Sequence, residues 1–218
     1  MDAELSLVMC NLARVKTGDL VYDPFVGTGS LLCTAAFFGG FPLGSDIDGR
    51  QMRGQEGRSI NSNMVQYGLT KRFVGGLVFD MLHHPWREGF KVDAILTDPP
   101  YGVRAGAKKI GTKFAYPPSQ SMFLSAEEKA SRYPKTIPYE MEELALDLHK
   151  FAVRILKPSG RLVYWYPVEE DAEQRRATEE ELRARLPVVD GLSLVTVVLQ
   201  RCRMFDRWLV VFERASYF

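Results

Sequence analysis

The stretch Thr97-Asp98-Pro99-Pro100-Tyr101-Gly102-Val103-Arg104 follows the apolar run Val92-Asp93-Ala94-Ile95-Leu96. Proline cannot donate to a sheet ladder, so Pro99 and Pro100 lie beyond the strand's carboxyl end. A residue before proline is pushed toward extended geometry, which covers both Asp98 and Pro99. The Asp98 carboxylate and the Pro99 carbonyl are thereby held outward over the sheet edge, with the Tyr101 ring beside them. Two acceptors and a ring in that arrangement can grip an amino group, although Asp and Pro also build plain strand-to-loop turns.

A second candidate is Asp23-Pro24-Phe25-Val26-Gly27-Thr28-Gly29-Ser30, which follows the short strand Leu20-Val21-Tyr22. Its Gly-x-Gly pair lets backbone approach a ligand closely at the carboxyl end of a strand. The third glycine of a dinucleotide fingerprint is missing, because Leu32 stands there. Asp23 would disfavour a nearby pyrophosphate and favour an ammonium group. S-adenosyl-L-methionine carries an ammonium and no phosphate, so the loop suits it better than NAD. Asp46, followed by Ile47, ends the next strand, where a carboxylate can accept from two ribose hydroxyls. Asp48 reads as the cap of the helix behind it. Asp80 ends a third strand within reach of an adenine amino group, with Met81 placed to pack on the ring. Each acid alone is equally a turn residue; four of them closing four successive strands form a pattern.

These residues need a sheet that brings the strand ends together. Short β-rich runs alternate with helical patterns, the mark of a parallel α/β fold. Helices are expected near 2–14, from Ser30, and over about 49–66, and Leu144, Leu148, Phe151 and Ile155 form a helical stripe closed by Lys157-Pro158-Ser159-Gly160. Residues 101–138 read as one long loop, and 169–186 as a charged surface helix. The last two runs, 192–199 and 208–212, form a hairpin around a turn near 203–206. By fold-level analogy, a closing antiparallel pair marks the methyltransferase variant of this sheet and not the dinucleotide-binding one.

With both motifs quoted, the chain resembles the class I amino-methyltransferases. The strings DPFVGTGSLL and TDPPYGVRAGAKKIG are similar, more narrowly, to the catalytic subunits of the eukaryotic tRNA (guanine-10-N2)-methyltransferases, and the resemblance covers nearly all 218 residues. It implies a Rossmann-like α/β fold with seven strands, mostly parallel with a C-terminal antiparallel hairpin. S-adenosyl-L-methionine would be the donor and tRNA the acceptor. The cofactor would meet Asp23, Pro24, Phe25, Gly27, Thr28, Gly29, Ser30, Asp46, Ile47, Asp80 and Met81. Asp98, Pro99, Pro100 and Tyr101 would carry the chemistry. DPPY alone is shared by enzymes acting on adenine N6, guanine N2 and glutamine amides, so those alternatives stay open, as does a non-catalytic RNA-binding or partner-binding scaffold. Members of the resembled family carry an N-terminal tRNA-capturing THUMP region. Nothing in this sequence corresponds to it, so residues 1–218 are expected to be a single catalytic domain.

Arg104, Lys108, Lys109 and Lys113 cluster in 101–118 without an acid and form a candidate phosphate contact, although basic loops are often simply solvated. The run Phe73-Val74-Gly75-Gly76-Leu77-Val78-Phe79 is apolar and falls at the open edge of the expected sheet. The resemblance implies a small zinc-binding activator subunit that adds a strand there.

Bulk composition narrows the field. A net charge of +1 gives no global attraction for nucleic acid or membrane, so any RNA contact must be local. No apolar run approaches the ~18 residues of a membrane span. Cys10, Cys33 and Cys202 are far apart, without metal spacing, and fit a reducing compartment; cytoplasmic localisation is the expectation. No cysteine adjoins the Asp98-Pro99-Pro100-Tyr101 motif, which argues against pyrimidine-C5 methylation, a reaction that needs a thiol nucleophile. His83, His84 and His149 read as solvated or structural.

Overall fold

A computed structural model describes residues 2–54, 59–100, 107–111, 136–168, 178–201 and 206–216. The elements are α1 (Ala3–Leu12), β1 (Leu20–Asp23), α2 (Ser30–Phe37), β2 (Phe41–Asp46), α3 (Gly49–Arg53), α4 (Ile60–Gln66), β3 (Gly75–Val78), β4 (Val92–Thr97), β5 (Lys108–Ile110), β6 (Thr136–Pro138), α5 (Met141–Ile155), β7 (Leu156–Val168), α6 (Glu179–Arg185), β8 (Leu192–Arg201) and β9 (Asp206–Arg214). Seven strands form one sheet in the order β3-β2-β1-β4-β7-β9-β8. Pairing is parallel from β3 to β7. Only β9 runs against its neighbours β7 and β8. The expected sheet with its antiparallel closing hairpin is therefore present.

Strand alternation divides the core in two. Tyr22, Ile95, Leu162, Tyr164 and Val210 face one side, where Leu144, Leu148, Phe151 and Ile155 of α5 cover them. Val21, Ala94, Leu96, Val163, Trp165, Leu209 and Val211 face the other, under Met9, Cys10, Leu31 and Ala35 from α1 and α2. The spacing of the α5 residues puts one stripe of that helix on the sheet. His149, on the same helix, is fully buried between Tyr164 Oη (2.9 Å) and the Pro187 carbonyl (3.1 Å). It is structural, and burial pushes its pKa down to about 4.

Several local expectations change. The helix expected over 49–66 is two helices: Gly54 ends α3 at φ 70°, and Ser59 starts α4 through a reciprocal hydrogen-bonded box with Ser62. The third strand is shorter than 73–79, because Phe73 packs with Met52, Ile60 and Met64. Hydrogen bonds from Val74 N to the Pro42 carbonyl (3.0 Å) and from Phe79 N to the Asp46 carbonyl (3.1 Å) still extend its pairing. The expected loop 101–138 contains the antiparallel pair β5–β6, with Lys109 opposite Ile137. Its two short strands are far apart in sequence and carry too few residues to show alternation. In the helix-closing string, α5 ends at Ile155, and β7 begins at once with Ser159 in a left-handed conformation (φ 61°).

Candidate active site

The crevice lies at the carboxyl ends of β1, β2 and β4, where strand order reverses and open α/β sheets bind ligands. Asp23 closes β1. Its Oδ1 accepts from Phe25 N at 3.0 Å and from Thr97 Oγ1 at 2.6 Å. The turn after it is strapped onto β2: Val26 N donates to the Ser45 carbonyl at 3.0 Å, and Gly27 N donates to Asp46 Oδ2 at 2.8 Å. Gly27 (φ 48°) and Gly29 (φ 81°) both adopt conformations that L side chains avoid. A Cβ on Gly29 would also stand 2.7 Å from Ile60 Cγ1, so α2 and α4 close on that position. Pro24 is buried, Phe25 and Ser30 are half-buried, and Thr28 is exposed.

Asp46 is half-buried at the end of β2, and its Oδ1 accepts from Asp48 N at 2.8 Å. Asp48 caps α3 by accepting from Arg50 N. Beyond Asp46 opens a cavity of about 250 Å³, with Ile47, Val78, Phe79 and Ile110 as apolar walls and Arg53, Asp80 and His83 as polar ones. Asp80 accepts from Leu82 N (2.9 Å) and from Ile110 N (2.6 Å), so one carboxylate caps the turn after β3 and fastens β5 over the cavity. Met81 does not line it. Its side chain is buried and belongs to the core cluster that also holds Tyr22 and Ile95.

Asp98 leaves β4 with its Oδ2 3.8 Å from Arg207 Nη1 of β9. Pro99 is buried and Pro100 half-buried beyond it. Asp23, Asp46 and Asp98 share one electrostatic field. Burial raises the Asp23 pKa to about 7; the Thr97 and Phe25 hydrogen bonds oppose that, and the charges of Asp46 and Asp98 add to it. Burial likewise raises Asp46. A crevice of desolvated acids favours a cationic ligand group.

Residues 1–129 match the family model described as RMKL-like, methyltransferase domain. The chain belongs to this methyltransferase family. It is 44% identical over 213 residues to the tRNA (guanine(10)-N(2))-methyltransferase of Schizosaccharomyces pombe, covering 98% of this chain and 43% of that protein. A human relative named tRNA (guanine(10)-N(2))-methyltransferase TRMT11 is 41% identical over 231 residues, with all of this chain and 48% of that protein covered. The chain thus spans about half the length of the curated relatives it matches. Among solved structures, TrmN from Thermus thermophilus superposes with a TM-score of 0.62 at 20% identity, over 98% of this chain and 49% of that one, which shows the shared fold.

Within this methyltransferase domain, the structure brings Asp23, the glycine loop, Asp46 and Asp98 to one crevice, and Ile47 and Asp80 to the adjoining cavity. Tyr101, Arg104 and Lys113 lie outside the described residues. Of the expected basic patch, Lys108 is exposed, whereas Lys109 is ion-paired with Glu143 and sits 4.8 Å over the Tyr139 ring. Lys109 is therefore half-buried against α5. Three residues near the site escaped the sequence reading: Thr97, Arg207 and Gln200. Thr97 offered a signal, since an uncharged hydroxyl ending a buried strand needs a partner. Arg207 and Gln200 offered none, because only strand order brings β9 and β8 near β4.

Proposed function

We propose that residues 1–218 form a single catalytic domain that transfers a methyl group from S-adenosyl-L-methionine to the exocyclic N2 of a guanine in tRNA, at position 10. The observation that carries this reading is that one buried acid at the end of β1 and the DPPY acid at the end of β4 open into the same crevice, joined through Thr97. The names of the relatives supply the substrate.

The residues fit the cofactor on features of the site itself. Asp23 and the backbone of Gly27 to Gly29 suit the methionine end, Asp46 suits the ribose, and the cavity walled by Ile47, Phe79 and Ile110 suits the adenine, with Asp80 at its polar side. When bound, the cofactor supplies an electrophilic methyl group on a sulfonium. Asp46 and Asp80 already accept from backbone, which fixes the orientation of both carboxylates.

An exocyclic amine on an aromatic ring is a poor nucleophile, because its lone pair is delocalised. Attack requires the nitrogen to become more tetrahedral. In this reading the Asp98 carboxylate and the Pro99 carbonyl accept the two amine hydrogens and stabilise charge as it develops on nitrogen. Pro100 stiffens that pair, and Tyr101 stacks on the base and keeps the amine in line. The alkylated nitrogen is cationic and strongly acidic and passes its proton to water, so Asp98 serves as a hydrogen-bond acceptor and need not be a strong base. Lys108, with Arg104 and Lys113, is assigned to flanking phosphates.

The open edge of the sheet supports a protein partner. Val74, Leu77 and Val78 are 55%, 41% and 56% exposed. No charge or proline guards the strand interior. A small zinc-binding activator pairing along β3 is the occupant we assign, giving a heterodimer. Among the described residues no helix is long and apolar enough to cross a membrane. The free thiols of Cys10 and Cys33 suit a reducing, cytoplasmic setting.

The test is mass spectrometry of nucleosides after incubating unmodified tRNA with S-adenosyl-L-methionine and the protein together with its partner. N2-methylguanosine is the expected product. Methylation of adenine N6, or none with cofactor bound, would overturn the assignment.

A further inference from the structure

We propose that Arg207 is a positioning residue for Asp98, acting on the methyl-transfer step and not on capture of cofactor or RNA; this rests on the functional reading above. Arg207 lies on β9, opposite Pro167 of β7 and Gln200 of β8. Strand alternation puts its side chain on the sheet face that carries Trp165. The guanidinium carbon sits 4.2 Å from the centroid of the Trp165 ring, Nε donates to Gln200 Oε1 at 2.6 Å, and Nη1 stands 3.8 Å from Asp98 Oδ2. The side chain is only 14% exposed.

A guanidinium in that place is held on one flat face by an indole and at its inner nitrogen by an amide, and it faces the acceptor carboxylate across an ion-pair distance of 3.8 Å. Arginine keeps its charge at any working pH, and its rigid fork transmits direction as well as charge. Burying it costs desolvation that a surface partner would not demand. The cost has a return at Asp98, whose nearest strand ends carry two more acids, Asp23 and Asp46. A fixed cation on the far side of Asp98 offsets that repulsion. It also fixes the carboxylate's orientation after two prolines have set its backbone. A one-ångström error at a reacting group costs on the order of a hundredfold in rate. Lysine could supply the charge but neither the stacking plane nor the Nε contact.

Single-turnover methyl transfer to tRNA, with calorimetric cofactor binding and thermal melting, tests this on the intact protein and its partner. Arg207→Ala is expected to lower the transfer rate roughly a hundredfold, with the KM for tRNA and the Kd for S-adenosyl-L-methionine within about twofold of wild type. Arg207→Lys should recover part of that loss. Gln200→Leu, which leaves the arginine charge in place, should slow transfer by a smaller factor at unchanged KM. If Arg207→Ala melts early, the other two variants decide. Wild-type transfer with unaltered rates in Arg207→Lys and Gln200→Leu overturns the inference alone, and so does a loss confined to the KM for tRNA, which would make Arg207 an RNA contact. Absence of transfer by the wild-type protein overturns the functional reading and this inference with it.

Discussion

Thr97 Oγ1 donates a 2.6 Å hydrogen bond to Asp23 Oδ1, and both residues are buried. The bond joins the last residue of β4 to the last residue of β1, one position before the DPPY acid. The acid assigned to the methyl donor and the acid assigned to the acceptor are thus linked by one side-chain contact in addition to the pairing of β1 with β4.

Thr97→Val should expose the importance of that contact. It preserves shape and β propensity while leaving a buried carboxylate short of one donor, at a cost of about 1–3 kcal/mol in stability. The Thr97 bond holds the Asp23 pKa down, so its loss should raise that pKa further. Denaturant unfolding and calorimetric titration of the cofactor should show reduced stability together with weaker binding. A change in neither would mean the bond is incidental.

Asp23 should also make stability and cofactor affinity depend on pH. Its pKa is about 7 in the folded chain against 3.8 for an unperturbed carboxyl. Between those values the folded state keeps a proton that the unfolded state has released, so the contribution of Asp23 to stability is fully present below about 4 and is lost as pH rises to about 7. A bound ammonium favours the carboxylate, so cofactor affinity should run the other way, strengthening up to about tenfold per unit as pH approaches 7. Asp23→Asn should flatten both profiles and weaken binding at pH 8. Titrations at pH 5.5 and 8 decide; equal affinity at both would place the cofactor's ammonium elsewhere.

Asp98 and Asp46 should separate chemistry from binding. Asp98→Ala is expected to abolish transfer of a labelled methyl group while cofactor affinity holds. Asp46→Ala removes the acceptor of Gly27 N as well as the proposed ribose contact, and should weaken cofactor binding by about 1–3 kcal/mol. Loss of cofactor affinity in Asp98→Ala would exchange the assigned roles.

The β3 edge should respond to charge. Val74→Lys or Leu77→Glu is expected to prevent co-purification with the activator subunit, and to reduce aggregation of the chain alone, because charge discourages strand addition. A complex that survives both substitutions has its interface elsewhere.

What the sequence determined is local. The proline pair had to follow β4, glycines had to fill the left-handed positions at 27 and 29, Asp48 had to cap α3, and the apolar stripe of α5 had to lie on a sheet. Each depends on a few neighbouring residues and on backbone sterics. Even the closing antiparallel pair was visible, since strands close together in sequence pair with little loop entropy.

The tertiary structure decided whatever depends on strand order and burial. Spacing placed acids at strand ends, but only the adjacency of β1 and β4 gives Asp23 its threonine, and only enclosure raises its pKa. Met81 lies beside a predicted ligand acid and yet turns into the core. Lys109 looks free in a basic run and is paired with Glu143 of a helix whose role in that loop no local pattern encodes. Arg207 reaches Asp98 because β9 is inserted between β7 and β8, a pairing between residues far apart in the chain. Such contacts arise from the packing of whole elements, and a window of neighbouring residues carries no record of them.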